Sequence, residues 1–198
     1  MMKEIVTVRF LGQCLPRNPG GIACYAYIIR NKEGLLLHES CGLAADPNSP
    51  SSTNSVANYT ALIKAFEWLI KNRYTKDIIK VFGNSKLVIS QINDGEPVIS
   101  SNKGAISKNV LPLYTRVMKM KSKFYYVSFE LNSDYDKRHI DDKEIEELSL
   151  LAYIEEKAKI LKQRGSVLSS NSTSKNRQEL RQKLFSSAAE LMMATGNN

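Results

Sequence analysis

A chain of 198 residues, 42% hydrophobic and 24% charged, is long enough for one domain with a full apolar core and too apolar to stay wholly disordered. No run of about 18 apolar residues occurs, and the first ten positions mix Lys3, Glu4 and Arg9 into a short apolar alternation, so neither a membrane span nor a secretory leader is expected and the protein reads as cytoplasmic. Of 28 bases and 20 acids, residues 130–156 hold three and ten, leaving 25 bases against 10 acids elsewhere, a bias that attracts polyanions such as nucleic acid.

Residues 4–11 alternate apolar and polar and predict a strand; a loop, Pro16 to Gly21, follows. Ala23–Arg30 and Gly34–Glu39 are β-rich runs about a turn at residues 31–34, so the first three strands should form an antiparallel meander. Val56, Tyr59, Leu62, Ile63, Phe66, Leu69 and Ile70 recur at the three- and four-residue spacing of a helix with one buried face. Ile78–Phe82 predicts a short strand stopping at Gly83, and 85–92 a helix. Helical spacing resumes over 105–121, where Pro112 predicts a kink or restart. A strand at 124–131 and a helix at 144–161 complete the order β-β-β-α-β-α-α-β-α. Five serines within 166–174 suggest a flexible linker, placed at 164–175; beyond it, over 176–198, Leu180, Leu184, Ala188 and Leu191 recur at helical spacing beside Arg177, Arg181 and Lys183. That basic amphipathic tail is a candidate protein-docking helix. The three cysteines, Cys14, Cys24 and Cys41, show no metal-ligand spacing and fit a reducing compartment as buried small hydrophobes.

Four blocks carry a family resemblance: Phe10 to Cys14 running into Asn18-Pro19-Gly20-Gly21; Thr53 to Tyr59; Gly83-Asn84-Ser85 continuing to Ile89; and Ile145 to Ser149. Together they resemble type 1 ribonuclease H, the archaeal branch above all, in order and at family-like spacing across roughly residues 3–160. The resemblance implies an α/β ribonuclease H-like fold over 1–163: a mixed five-stranded sheet, three antiparallel strands then two parallel, flanked by helices. Active members hold two divalent cations about 4 Å apart about the scissile phosphate, which requires several converging carboxylates. Where the family has acids this chain has Leu11, Asn58 and Asn84; only Glu146 keeps a carboxylate. The family's Pro-Arg-Glu loop is also missing from 132–142, which holds His139 instead, read as a solvated loop residue. Asp134, Asp136, Asp141 and Asp142 cluster on that one loop, whereas the lost acids came from three separate elements, so a rebuilt site is not expected.

The resemblance therefore implies a catalytically inactive relative, with no metal or other cofactor, that keeps nucleic-acid contacts. Asn18, Asn54 and Ser85 match groove positions of the family, and Asn58 and Asn84 could donate to phosphate where carboxylates would repel it. Taken singly, Asn18 suits turn chemistry and Asn54 helix capping. Residues 97–129 add six bases and no acid, among them Lys103, Lys108, Arg116 and Lys119, and the tail adds Arg177 and Arg181. Such stretches bind phosphate without reading sequence. The expected partner is structured RNA or an RNA/DNA hybrid, with a ribonucleoprotein such as the ribosome as a setting. Two other readings stay open: a slow hydrolase using Glu146 with a rearranged site, and a protein-binding scaffold using the acidic 130–156 face and the terminal helix.

Overall fold

Apolar side chains on both faces of one strand force that strand into the middle of a layered domain. In the computed structural model, which describes residues 3–95, 107–132 and 140–164, that strand is β1 (Ile5–Leu15). Val6, Val8 and Phe10 point to one side and Leu11 to the other, and all four are buried. β2 (Ile22–Asn31) and β3 (Leu36–Leu43) follow as an antiparallel meander; β4 (Ile78–Gly83) and β5 (Tyr126–Leu131) add in parallel on the other side, giving the order β3-β2-β1-β4-β5. The predicted sheet, three antiparallel strands and two parallel, is the one observed.

Helix α1 (Asn54–Lys71) lays Tyr59, Leu62, Phe66 and Leu69 on the face made by Val6, Val8, Tyr27, Ile29, Ile79 and Val81. Helices α2 (Lys86–Asp94) and α3 (Leu111–Lys121) complete this layer through Val88, Ile92, Tyr114 and Val117. Truncating any of these large side chains would cost about 2–5 kcal/mol in lost burial and cavity formation. The opposite face is covered by α4 (Ile140–Arg164), whose Ile145 and Leu148 close over Leu11, Ala26 and Ile28.

Three sequence expectations need correction. β1 does not end at Leu11; Gly12 to Leu15 continue the ladder opposite Tyr25 to Ile22 of β2. This extension depends on Gly12, because a side-chain carbon there would overlap the backbone of Ala57 and Asn58 where α1 crosses the strand. Pro112 does not kink a helix: α3 starts there, with the proline in its first turn, where its missing N–H is one that the helix leaves unpaired anyway. The N-cap of α1 is Thr53, whose hydroxyl accepts from Val56 N–H at 3.1 Å, so Asn54 is the first helical residue rather than the cap.

Residues 1–157 form one compact unit; of the second, 158–198, only the end of α4 is described. The Ser-rich linker, the terminal helix, Lys103, His139, Arg177 and Arg181 lie outside the described residues. No helix among those described is long and apolar enough to cross a membrane.

Candidate functional site

β4 stops at Gly83, paired with Phe10, while β1 runs on for five more residues. Ending one parallel strand beside a longer neighbour opens a crevice at its carboxyl end, the usual ligand position in such sheets. A cleft of about 230 Å³ lies there, lined by residues of β1 and β4, by Asn132 and by the first turns of α4. Three of the four positions where the resemblance expects an acid meet at it: Leu11, Asn84 and Glu146. Leu11 is nonetheless only 2% exposed, its side chain committed to the apolar cluster under α4. Asn84 and Glu146 are exposed.

The fourth position does not reach the cleft at all. Asn58 sits on α1, 3% exposed, and its amide is fully used on backbone. Its carbonyl oxygen accepts from Gly12 N–H at 2.9 Å, and its NH2 donates to Gly12 C=O at 3.2 Å and to Asn54 C=O at 2.8 Å. The expectation that Asn58 donates to phosphate is therefore corrected: it fastens α1 to β1. A carboxylate in the same pose would face two carbonyl oxygens with no proton to offer either.

Asn18 and Asn54 are exposed beside this fastening, and each also has a structural task. The Asn18 side-chain oxygen accepts from Asn54 N–H at 3.0 Å, and the Asn54 side-chain oxygen accepts from Cys14 N–H at 2.6 Å, tying the 16–21 loop to the start of α1. Buried Ser52 reinforces the tie by donating to Gly21 C=O at 2.8 Å. Ser85 is the N-cap of α2, its hydroxyl accepting from Val88 N–H at 3.4 Å.

Arg9, Asn132 and Lys143 line the cleft although the sequence did not single them out as binding residues, and Asp142, weighed there only as a replacement metal ligand, joins them. Arg9, 9% exposed, donates to Asp142 at 2.9 Å and to Asn132 at 3.3 Å, and Asn132 donates to Asp142 at 2.6 Å. The signal for Arg9 was present in the strand alternation, since it precedes Leu11 by two and must share its face. The meeting with Asp142 was not legible, because 133 residues separate the two.

The basic candidates on α3, and Lys108 in the turn before it, lie elsewhere. Lys108, Arg116 and Lys119 are exposed on the layer that carries α1, and Arg116 is ion-paired with Glu67; none lines the cleft.

A pair of divalent cations, which an active family member would hold, does not fit these residues. Leu11 presents hydrocarbon, Asn58 is turned into backbone, Asn84 is a neutral amide and Asp142 already meets a guanidinium. Among the described residues no three His, Cys, Asp or Glu side chains converge.

Comparison with known proteins agrees with the architecture. Residues 16–134, more than half of the chain, match the family model described as reverse transcriptase-like. The chain is similar to the N-terminal ribonuclease H domain of Rv2228c from Mycobacterium tuberculosis, with 21% identity over 76% of this chain and 94% of that one and a TM-score of 0.59. It is similar also to ribonuclease H1 from Halobacterium salinarum NRC-1, with 19% identity over 76% and 98% and a TM-score of 0.57. LC11-RNase H1, solved in complex with an RNA/DNA hybrid, gives 20% identity over 76% and 97% and a TM-score of 0.58. With a five-stranded sheet in the same arrangement and a family model spanning most of it, the chain belongs to the reverse transcriptase-like family and has the ribonuclease H fold.

Proposed function

We propose that this protein is a catalytically silent member of its family that grips structured RNA or an RNA/DNA hybrid by its backbone. The observation that carries the reading is the geometry of Asn58: the side chain that should supply an anchoring acid from α1 is sealed behind β1 by three hydrogen bonds to main chain. Leu11, in the apolar cluster under α4, supports it, and Glu146 is the one acid left of four. The ligand class is supported by the hybrid bound to LC11-RNase H1 and by the basic excess outside residues 130–156. At the cleft the Asn84 amide and the Lys143 ammonium can approach phosphate, while Arg9 is held by Asp142. Backbone and 2′-OH contacts of this sort select duplex shape without reading bases. The basic excess outside residues 130–156 would suit such a grip within a ribonucleoprotein such as the ribosome.

Purified protein incubated with an end-labelled hybrid and magnesium or manganese tests the silence, with Glu146→Gln as the control for contaminating nuclease. The expected result is binding by fluorescence anisotropy and no cation-dependent cleavage above the control. Cleavage that disappears in Glu146→Gln would establish the hydrolase reading instead.

A further inference from the structure

The parallel strands β1, β4 and β5 begin together at the edge of the sheet remote from the cleft, and that edge is built unlike the rest of the surface. In-register pairing puts Ile5 beside Ile78 and Ile78 beside Tyr126, so these three share one sheet face; Lys80 lies on the same face, one row on, beside Ser128. Tyr125 and Tyr126 are consecutive and 63% and 53% exposed, two aromatic rings left in water at the start of β5. Lysines lie close to them in the chain and in the sheet. Lys3 sets its ammonium over the Tyr125 ring, 2.9 Å from the centroid. Tyr125 N–H donates to Thr75 C=O at 2.8 Å, bringing Lys76 alongside, and Lys123 is two residues upstream. Lys3, Lys76 and Lys123 are exposed. The nearby acids are Glu4 and Asp77, and Asp77 is occupied in accepting from Glu4 N–H at 3.0 Å.

We propose that Tyr125 and Tyr126, framed by Lys3, Lys76, Lys80 and Lys123, form a second nucleic-acid surface that takes a single strand. Exposed aromatic rings offer faces on which unpaired bases stack, and flanking ammonium groups meet the phosphates between them. The Tyr125 ring already receives a cation on one face, so a base arriving there displaces Lys3 toward the backbone of the strand. A duplex keeps its bases stacked inside and gains nothing from the rings, so this surface distinguishes single-stranded ligand where the cleft addresses duplex. Six residues of β4, about 20 Å of strand, separate the two places.

The test uses the full chain and a fluorescein-labelled single-stranded oligouridine, with an RNA/DNA hybrid, polyglutamate and anionic phosphatidylserine vesicles as separate arms. Tyr125→Ala with Tyr126→Ala should weaken oligouridine binding by about tenfold or more and leave hybrid binding unchanged. Tyr125→Phe with Tyr126→Phe, which keeps the rings, should retain it, and Lys76→Glu with Lys123→Glu should lower both the affinity and its salt dependence. Oligouridine affinity indifferent to loss of the rings would overturn the proposal. So would wild-type protein that binds only the polypeptide or the vesicles.

Discussion

Asn58 holds its carbonyl oxygen on Gly12 N–H and its NH2 between the carbonyls of Gly12 and Asn54, an arrangement only an amide can make. Asn58→Ala would leave the Gly12 N–H buried and unpaired, at about 1–3 kcal/mol. Urea unfolding should show the midpoint falling with its slope unchanged. Exchange of that one amide proton should accelerate by more than that of its neighbours.

Elements meet closely where α1 crosses β1, and Gly12 makes the approach possible. Gly12→Ala should cost about 1–3 kcal/mol or more by forcing the helix off the strand, read as a lowered melting temperature. At the other end of the same helix, Trp68 lies between Tyr74 and His38; the imidazole stacks on the indole at 5.0 Å with 6° between planes and tilts against Tyr27 at 5.7 Å. Burial there lowers the His38 pKa, while Glu39 opposes with a smaller upward pull. A histidine kept neutral by folding binds its proton more readily once unfolded. Its contribution is therefore complete above the ordinary histidine pKa near 6.5 and is lost as pH falls through that value toward the folded one. Stability should decline as pH falls below about 6.5, the ordinary histidine value. His38→Phe, which keeps the stack and removes the titration, should flatten that decline in urea midpoints measured as pH is lowered.

For the whole molecule the uneven charge governs how ligand arrives. If phosphate contacts supply the affinity, log K for a hybrid falls linearly with log salt at about 0.9 per phosphate neutralised, and the binding changes little with base sequence. Anisotropy titrations from about 50 to about 200 mM salt should show at least a tenfold weakening for as few as two contacts. An affinity flat across that range would mean that charge is not the ligand's handle. The Arg9–Asp142 pair works at this scale too, joining the central strand to the helix on the opposite layer beside the cleft. Removing one partner should loosen α4 and reshape the cleft together, since the remaining charge is left partly buried.

The order of strands and helices was legible in the chain because periodicity is local: alternation at Ile5 to Phe10 and three-four spacing at Val56 to Leu69 each force one face inward whatever the rest does. Of the four blocks, those at Phe10, Gly83 and Ile145 come together at the cleft while the one at Thr53 does not, since a family pattern resides in residue types at fixed spacing and not in where each side chain ends up. What a side chain does once there depends on neighbours far away in sequence. Asn58 read as a hydrogen-bond donor for phosphate and became a clasp on Gly12, 46 residues back. Arg9 read as one polar residue of a strand and became the partner of Asp142. Pairings of that kind are set by how α1 and α4 dock on opposite faces of one sheet, and only the packed tertiary structure brings those atoms together.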